Sequence, residues 1–381
     1  MSSSRLTVNL DSIIANYRYL DSLSGTSTHT GATIKADGYG LGALASALAC
    51  YHAGCRAFFV ARLDEAVRLR NGLDDAGISD AHICIFEGAS SDDVSVYTEH
   101  NLSIVANSER DIDWLARHGR QAPRHFLHID TAMSRLGLAY HNHDALIEAV
   151  KRLPNLAGVM SHLACADAPE HPANQQQSER FQTAIDSLSS YLPASCIYSL
   201  ANSAGIFLGA PYHHQLTRPG IALTGTPPDD EAMGADGLTP AYCWTADILQ
   251  IRQISAGETV GYGADFTAKT PMRLATIGAG YADGFPRQLS TTAPPHHVDI
   301  AGVSVPLVGR ISMDVMVADI TALDEQRLVT LSYATLLDRH LTASDMARKT
   351  GTIGYEILST IGARTNRQYN CSVDDILQRL G

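Results

Sequence analysis

Short apolar runs recur along the first 230 residues of the chain and alternate with stretches of helical periodicity. Runs of this length that are rich in β-branched residues predict buried strands. The predicted strands are residues 32–35, 57–60, 82–86, 102–105, 126–129, 156–161, 197–200 and 220–223. Helical patterns, such as those of residues 64–71 and 178–190, lie between several of these strands. The alternation predicts an α/β fold, and either a (β/α)8 TIM barrel or an open doubly wound sheet can use eight strands.

The positions of chemically versatile side chains favour the barrel. Residues whose side chains can transfer a proton, carry a charge or donate a hydrogen bond lie at or just beyond the predicted strand ends. They are Lys35, Asp130, His162, Ser203 and Arg218. In a TIM barrel the functional side chains gather at the carboxyl ends of the strands. We therefore predict a (β/α)8 barrel over residues 11–230.

The character of the sequence changes after about residue 227. A stretch rich in Pro, Gly and Asp, residues 227–240, predicts a linker, and short alternating strands with few helices follow it. The predicted strands are 244–254, 273–277, 303–307 and 315–320, and the predicted helices are 353–361 and 373–380. A chain of 381 residues is also longer than a single core usually supports. We predict a second, mostly β domain over residues 238–381, joined by an N-terminal strand at residues 5–10.

The net negative charge of the chain argues against some kinds of binding partner. The chain has 28 Lys and Arg against 40 Asp and Glu, a formal net charge of −12, which argues against a surface for nucleic acid or anionic membrane. No apolar run has signal-peptide or transmembrane length, so we expect a cytoplasmic protein. The seven cysteines are scattered without CxxC spacing, and no cysteine or histidine spacing predicts a metal site.

The strongest single signal in the chain is the stretch TIKADGYGLG, residues 33–42. Lys35 ends a predicted buried strand, and burying an ammonium is costly unless the group is paired or used. Desolvation lowers the pKa of a lysine, and a neutral amine forms a Schiff base with an aldehyde cofactor. The glycines allow a tight turn and a close approach to a ligand. The alternative is a solvated lysine at a strand end, but the adjoining glycines and Tyr39 favour a cofactor site.

The pattern Lys35-Ala-Asp-Gly-Tyr-Gly-x-Gly resembles the pyridoxal phosphate (PLP) lysine signature of the alanine racemases. Further segments match the family in order, at residues 125–138, 161–167, 201–204, 218–221, 260–266, 279–285, 309–314 and 351–358. The resemblance implies a PLP-dependent racemase that interconverts L-alanine and D-alanine and works as a homodimer. It also implies a role in D-alanine biosynthesis for peptidoglycan precursors, with alanine breakdown as the alternative.

The resemblance further implies which residues do the chemistry. Lys35 and Tyr262 would be the two catalytic bases on opposite faces of the cofactor-bound alanine, with Tyr262 reaching into the partner subunit's barrel. Lys35 would handle the proton of the D-isomer and Tyr262 that of the L-isomer. The cofactor-binding residues would be Lys35, Tyr39, His162, Ser203, Arg218, Gly220, Ile221 and Tyr355. The substrate-binding residues would be Arg135, Tyr281, Met313 and Asp314.

Two residues depart from the family pattern. His128 stands where many members carry a carbamylated lysine, and Thr224 stands where an aromatic residue is usual. The first departure leaves the anchor of Arg135 open, with a nearby acid, a bound anion such as chloride or a backbone carbonyl as the candidates. A structural ion pair between Arg135 and Asp130 is the alternative to a ligand-binding role for this arginine.

Three other functions stay open from the sequence. They are a racemase for serine or for a broader set of amino acids, a fold-related PLP decarboxylase, and a non-catalytic PLP-binding protein. An arginine at the pyridine nitrogen argues against the decarboxylase. The second domain with Tyr262 argues against the non-catalytic module.

Overall fold

The computed structural model describes residues 2–228, 234–329, 331–371 and 375, which form two compact units. The first unit contains residues 11–228 and 234–239, and the second contains residues 2–10, 240–329 and 331–371. No helix in the described part of the chain has both the length and the apolar character that a membrane span requires.

The first unit is built on a parallel β-sheet in which consecutive strands are neighbours. Its strands are His29–Thr30 with Ala32–Thr33, Ala57–Val60, His82–Ile85, Leu102–Ala106, His125–Asp130 (extended by Leu138–Ala139), Leu156–Met160, Ile197–Ser199 and Leu216–Thr217. The last strand pairs in parallel with His29–Thr30, and the Arg218 N–H donates to the Ala201 carbonyl over 3.0 Å. The sheet therefore closes on itself, which confirms the predicted (β/α)8 barrel.

Helices follow most of the strands. They are Leu10–Ser24, Ala43–His52, Leu63–Asp75, Ser95–Glu99, Glu109–His118, His143–Arg152, Ala173–Leu188 and Ser203–Phe207. Helix Ala173–Leu188 buries Phe181, Ile185 and Leu188 at helical spacing, and each such side chain stabilises the fold by roughly 1.5–3 kcal/mol. Inside the barrel, apolar side chains from several strands form one cluster around Phe59 and Phe126.

The prediction of the eighth strand at residues 220–223 was wrong. The strand is Leu216–Thr217, and Ile221–Thr224 is a short 3-10 helix whose residues are all buried. A short apolar run signals burial but does not distinguish a strand from a helical turn, and here the backbone turns at Gly220. The first strand is also shorter than predicted, because it ends at Thr33 and a turn begins at Lys35.

The second unit is mostly β, as predicted. Its strands are Ser4–Val8, Tyr242–Ile254, Thr259–Val260, Phe266–Thr267, Met272–Ile277, His297–Ile300, Val303–Pro306, Met316–Asp319, Tyr333–Leu337 and Asn366–Tyr369. Its helices are Glu325–Val329, Ala343–Thr350 and Gly354–Ser359. The long strand Tyr242–Ile254 pairs antiparallel with Ser4–Val8, with Met272–Ile277 and with Tyr333–Leu337. All of the helix predicted at 373–380 except residue 375, and part of the predicted linker, lie outside the described residues.

Candidate active site

A turn of unusual backbone conformation carries Lys35 at the carboxyl end of the first barrel strand. The three residues Ala36, Asp37 and Tyr39 all have left-handed φ angles, of 51°, 53° and 54°. A non-glycine residue pays roughly 1–2 kcal/mol for this conformation. The Glu65 carboxylate holds the turn, because it accepts the Ala36 N–H over 2.7 Å. Strain that the surroundings maintain in this way is typical of functional sites.

The Lys35 amine lies in a desolvated and cationic environment. Burial lowers the pKa of Lys35, and the nearby Arg135 guanidinium lowers it further, whereas Glu65 opposes the shift. The Nζ atom lies 6.0 Å from the centroid of the Phe86 ring. A lowered pKa increases the fraction of neutral amine, which is the form that attacks a carbonyl carbon.

Arg218 is a buried cation with one unused donor. Its side chain follows the last barrel strand and its residue is only 3% exposed. The Nη1 atom donates to the Ser199 hydroxyl, and the Nη2 atom donates to the Ser161 carbonyl over 2.6 Å. The Nε atom is buried and has no hydrogen-bond partner among the described residues. Burial lowers the pKa of Arg218 to about 10, so the guanidinium stays protonated at neutral pH.

The unused donor fits one feature of PLP. A buried N–H without a partner is costly, and an acceptor with a lone pair would relieve this cost. The pyridine nitrogen of PLP is such an acceptor when it carries no proton. Arg218 is therefore able to hold the cofactor ring by its nitrogen edge.

Hydroxyl groups and backbone N–H groups converge beside this arginine. The Ser203 hydroxyl accepts the Gly220 N–H over 2.8 Å and lies 3.4 Å from the Ala222 nitrogen. A Cβ atom on Gly220 would overlap the Tyr39 hydroxyl, so the glycine leaves room for that phenol. Ile221 follows directly in the same buried turn. Hydroxyls and N–H groups in such a turn are suitable donors for a phosphate.

Two neutral imidazoles lie among the cations of this site. Burial lowers the pKa of His128 to about 4, with Arg218 and Arg135 adding to the shift. Burial lowers the pKa of His162 well below its usual value, and the nearby Arg218 adds to this shift. Both rings are therefore uncharged at neutral pH, and a neutral ring is suited to lie against a planar aromatic ligand.

Arg135 does not form the alternative ion pair with Asp130. One oxygen of Asp130 instead accepts the backbone N–H groups of the following loop, including that of Met133 over 2.8 Å. The Arg135 side chain is exposed. The carboxylate therefore shapes the loop that carries Arg135 and leaves the guanidinium available for a ligand.

The remaining predicted site residues belong to the second unit. Tyr262 stands between Gly261 and Gly263 in a short turn and is 71% exposed. The backbone brings Tyr281 and Met313 together, because the Tyr281 and Ala282 N–H groups donate to carbonyls of residues 312 and 313.

Two further residues complete the predicted set in this unit. The Asp314 carboxylate accepts a hydrogen bond from Arg364 Nη2 over 2.8 Å. Tyr355 lies in helix Gly354–Ser359.

Sequence reasoning missed two residues that organise the barrel site. Glu65 holds the Lys35 turn, and Asn107 binds the His128 ring, its Oδ1 lying 2.8 Å from Nδ1. Asn107 directly follows a barrel strand, which is the position that drew attention to Lys35 and His162. That signal was available for Asn107. Glu65 lies inside a helix and carried no comparable signal.

Comparisons with known proteins agree along the whole chain. Residues 8–228 match the family described as alanine racemase, N-terminal domain, and residues 241–369 match alanine racemase, C-terminal domain. An alanine racemase of Cereibacter sphaeroides is 39% identical over 97% of this chain and 99% of that protein. A catabolic alanine racemase of Agrobacterium fabrum is also 39% identical, over 97% of this chain and 92% of that protein.

A solved structure is similar over the same extent. The crystal structure of alanine racemase from Bartonella henselae with covalently bound pyridoxal phosphate is 35% identical and has a TM-score of 0.86. The similarity covers 97% of this chain and 99% of that chain.

Proposed function

The chain belongs to the alanine racemase family and is a PLP-dependent isomerase of alanine, and on this premise we propose that Lys35 and Tyr262 are its two catalytic bases. The observation that carries the assignment of the barrel site is the buried Nε of Arg218, which has no partner among the described residues. The lowered pKa of the Lys35 amine, at the carboxyl end of the first strand of the same barrel, supports it. When bound, PLP supplies an electron-withdrawing ring that stabilises negative charge at the α-carbon of alanine.

The barrel residues would hold and orient the cofactor. Lys35 would bind it covalently through Nζ, and Arg218 Nε would donate to its ring nitrogen. The phosphate would lie against Tyr39, Ser203, Gly220 and Ile221, with Tyr355 as a further donor. His162 would lie against the face of the ring. A guanidinium does not give up its proton at neutral pH, so the ring nitrogen would stay unprotonated. A less electron-withdrawing ring stabilises negative charge less, which favours racemisation over the wider range of PLP reactions.

Two different bases are needed because inversion removes a proton from one face and returns one to the other. The lowered pKa of Lys35 increases the fraction of uncharged Nζ, which is the form that can take a proton. We assign the opposite face to the Tyr262 hydroxyl, with Arg135, Tyr281, Met313 and Asp314 around the substrate. The exposure of Tyr262, 71%, supports donation across the interface of a homodimer.

We also propose the setting in which the enzyme works. It would act in the cytoplasm and supply D-alanine for peptidoglycan precursors. Alanine breakdown is the competing role, since the Agrobacterium relative is named a catabolic enzyme. A deletion strain that requires added D-alanine would support the biosynthetic role, and one that grows without it would support breakdown. The two domains would span residues 11–230 and 238–381, with the strand at 5–10 joined to the second.

The reaction is tested with the purified holoenzyme and L-alanine in D₂O. We expect D-alanine that carries deuterium at the α-carbon. Release of CO₂ from a basic amino acid would instead indicate a decarboxylase, and cofactor binding without turnover would indicate a carrier. L-serine in a parallel reaction measures how broad the substrate range is.

A further inference from the structure

The hydrogen bond between Asn107 and His128 fixes the position of the ring and also determines which ring nitrogen carries the proton. Asn107 follows strand Leu102–Ala106, and His128 lies on the neighbouring strand His125–Asp130. The Asn107 Oδ1 atom and the His128 Nδ1 atom are 2.8 Å apart. Asn107 is buried, so both ends of its amide need partners inside the protein.

The orientation of the Asn107 amide follows from its other contacts. Its nitrogen lies 2.7 Å from the Phe86 carbonyl and 3.0 Å from the Val105 carbonyl. A carbonyl only accepts, so the NH₂ group must face these two oxygens and the amide oxygen must face His128. The amide oxygen also only accepts, so His128 Nδ1 must carry the proton. In a neutral imidazole the other nitrogen, Nε2, is then an acceptor.

Burial, together with the charges around the ring, keeps His128 neutral. Arg218 and the loop residue Arg135 disfavour a proton on His128, whereas Asp130 on its own strand favours one. His162, which follows the next strand, is itself uncharged at neutral pH. The Asp111 carboxylate behind Asn107 is occupied, because it accepts the Asn107 N–H over 2.9 Å and the Ser108 hydroxyl.

The loop that carries Arg135 returns to the same pair of residues. The Gly137 N–H donates to the Asn107 backbone carbonyl over 3.0 Å. A Cβ atom on Gly137 would lie 3.1 Å from His128 Cδ2, the ring carbon bonded to Nε2. Asn107 therefore holds the His128 ring with its side chain and the Arg135 loop with its backbone. The loop approaches the ring at the edge that carries Nε2.

We propose that Asn107 is a positioning residue that holds His128 in the tautomer protonated on Nδ1, so that Nε2 accepts a hydrogen bond from the Arg135 guanidinium. An uncharged ring then orients the arginine without an acidic partner. The importance of this arrangement for turnover rests on the proposed function, whereas the tautomer does not.

The tautomer is read directly by NMR on the ¹⁵N-labelled holoenzyme. A long-range ¹H–¹⁵N spectrum at pH 7 distinguishes protonated from unprotonated ring nitrogens, and the signals that disappear in His128→Asn belong to His128. We expect a protonated Nδ1 and an unprotonated Nε2. A proton on Nε2, alone or with one on Nδ1, would overturn the proposal. This measurement needs no racemase activity, so it stands even if the proposed function fails.

The positioning role is tested with Asn107→Ala. We expect the Nδ1–H signature of His128 to be lost and kcat/KM for alanine to fall about tenfold or more, the effect of one lost hydrogen bond to a charged group. Asn155→Ala is the matched control, because the Asn155 amide also donates to two carbonyls, those of Arg120 and Ala122. The positioning role would be overturned if His128 kept the same tautomer in Asn107→Ala. It would also be overturned if Asn107→Ala had the same kcat/KM as the control variant Asn155→Ala.

Discussion

Arg218 and Arg70 are both buried arginines whose guanidinium groups donate to backbone carbonyls, yet only Arg218 has a buried donor left over. Arg70 directs Nε to the His100 carbonyl over 3.2 Å and its Nη atoms to the Ile78 and Ala81 carbonyls. Replacing either residue by lysine keeps the positive charge but removes the planar set of donors. The two variants therefore separate a structural arginine from one that holds a cofactor.

The expected magnitudes follow from the contacts that are lost. A hydrogen bond to a charged group contributes roughly 1.5–3 kcal/mol. Each variant loses at least one such bond to the protein, so both should unfold at lower temperature than the wild type. Only Arg218→Lys would also lose the Nε donor that we propose for the cofactor ring. One bond of that size corresponds to a fall of roughly 10- to 150-fold in kcat/KM.

The assay is racemisation by the reconstituted holoenzymes, with thermal unfolding of both variants alongside. We expect Arg70→Lys to lose stability and keep its kcat/KM, and Arg218→Lys to lose both. The reasoning would be refuted if Arg218→Lys racemised alanine as fast as Arg70→Lys. In that case the free Nε would be a feature of the fold alone.

Four further predictions concern the other site residues. Lys35→Ala should lose nearly all racemisation together with the PLP adduct that borohydride fixes to the wild type, and a fixed adduct in the variant would assign the cofactor to another lysine. Mixing inactive Lys35→Ala with inactive Tyr262→Phe should restore some activity through hybrid dimers, whereas full activity of a strictly monomeric wild type would rule out a shared site. His128→Asn should keep most activity without bicarbonate, because an amide can donate to Asn107 and accept from Arg135. His128→Lys should either need bicarbonate or lose activity, because its ammonium would repel Arg135. A loss of most activity in His128→Asn would reveal another role for the ring. Since folding lowers the pKa of His128 to about 4, its contribution to stability is full above about pH 6.5 and is lost towards pH 4, and His128→Asn should reduce that acid sensitivity in unfolding measurements.

The barrel was predictable because its signal is local. The apolar composition of each strand indicates that the strand is buried. The position of Lys35 or His162 at a strand end indicates a candidate functional residue. The error at residues 220–223 has a physical cause, since burial does not depend on whether the backbone is extended or turned. Gly220 and Ile221 lie beside Tyr39 and Ser203 because the chain turns there.

The supporting contacts of the site could not be predicted. The bond between His128 and Asn107 joins residues of two strand segments and depends on the register of those strands. The bond from the Ala36 N–H to the Glu65 carboxylate depends on how a helix packs beside a turn. The unused Nε of Arg218 is visible only in the structure, which shows that Ser199 and the Ser161 carbonyl accept from the two Nη atoms. These contacts arise from tertiary structure, and no periodic pattern in the sequence indicates them.

The central claim is that Lys35 and Tyr262 act on opposite faces of the same alanine. Tyr262→Phe tests it most directly, with exchange of the α-proton followed by NMR in D₂O from each isomer separately. We predict that D-alanine still exchanges its α-proton, because Lys35 remains, while L-alanine does not exchange and neither isomer is converted. Equal exchange of both isomers, or racemisation at the wild-type rate, would contradict the two-base account.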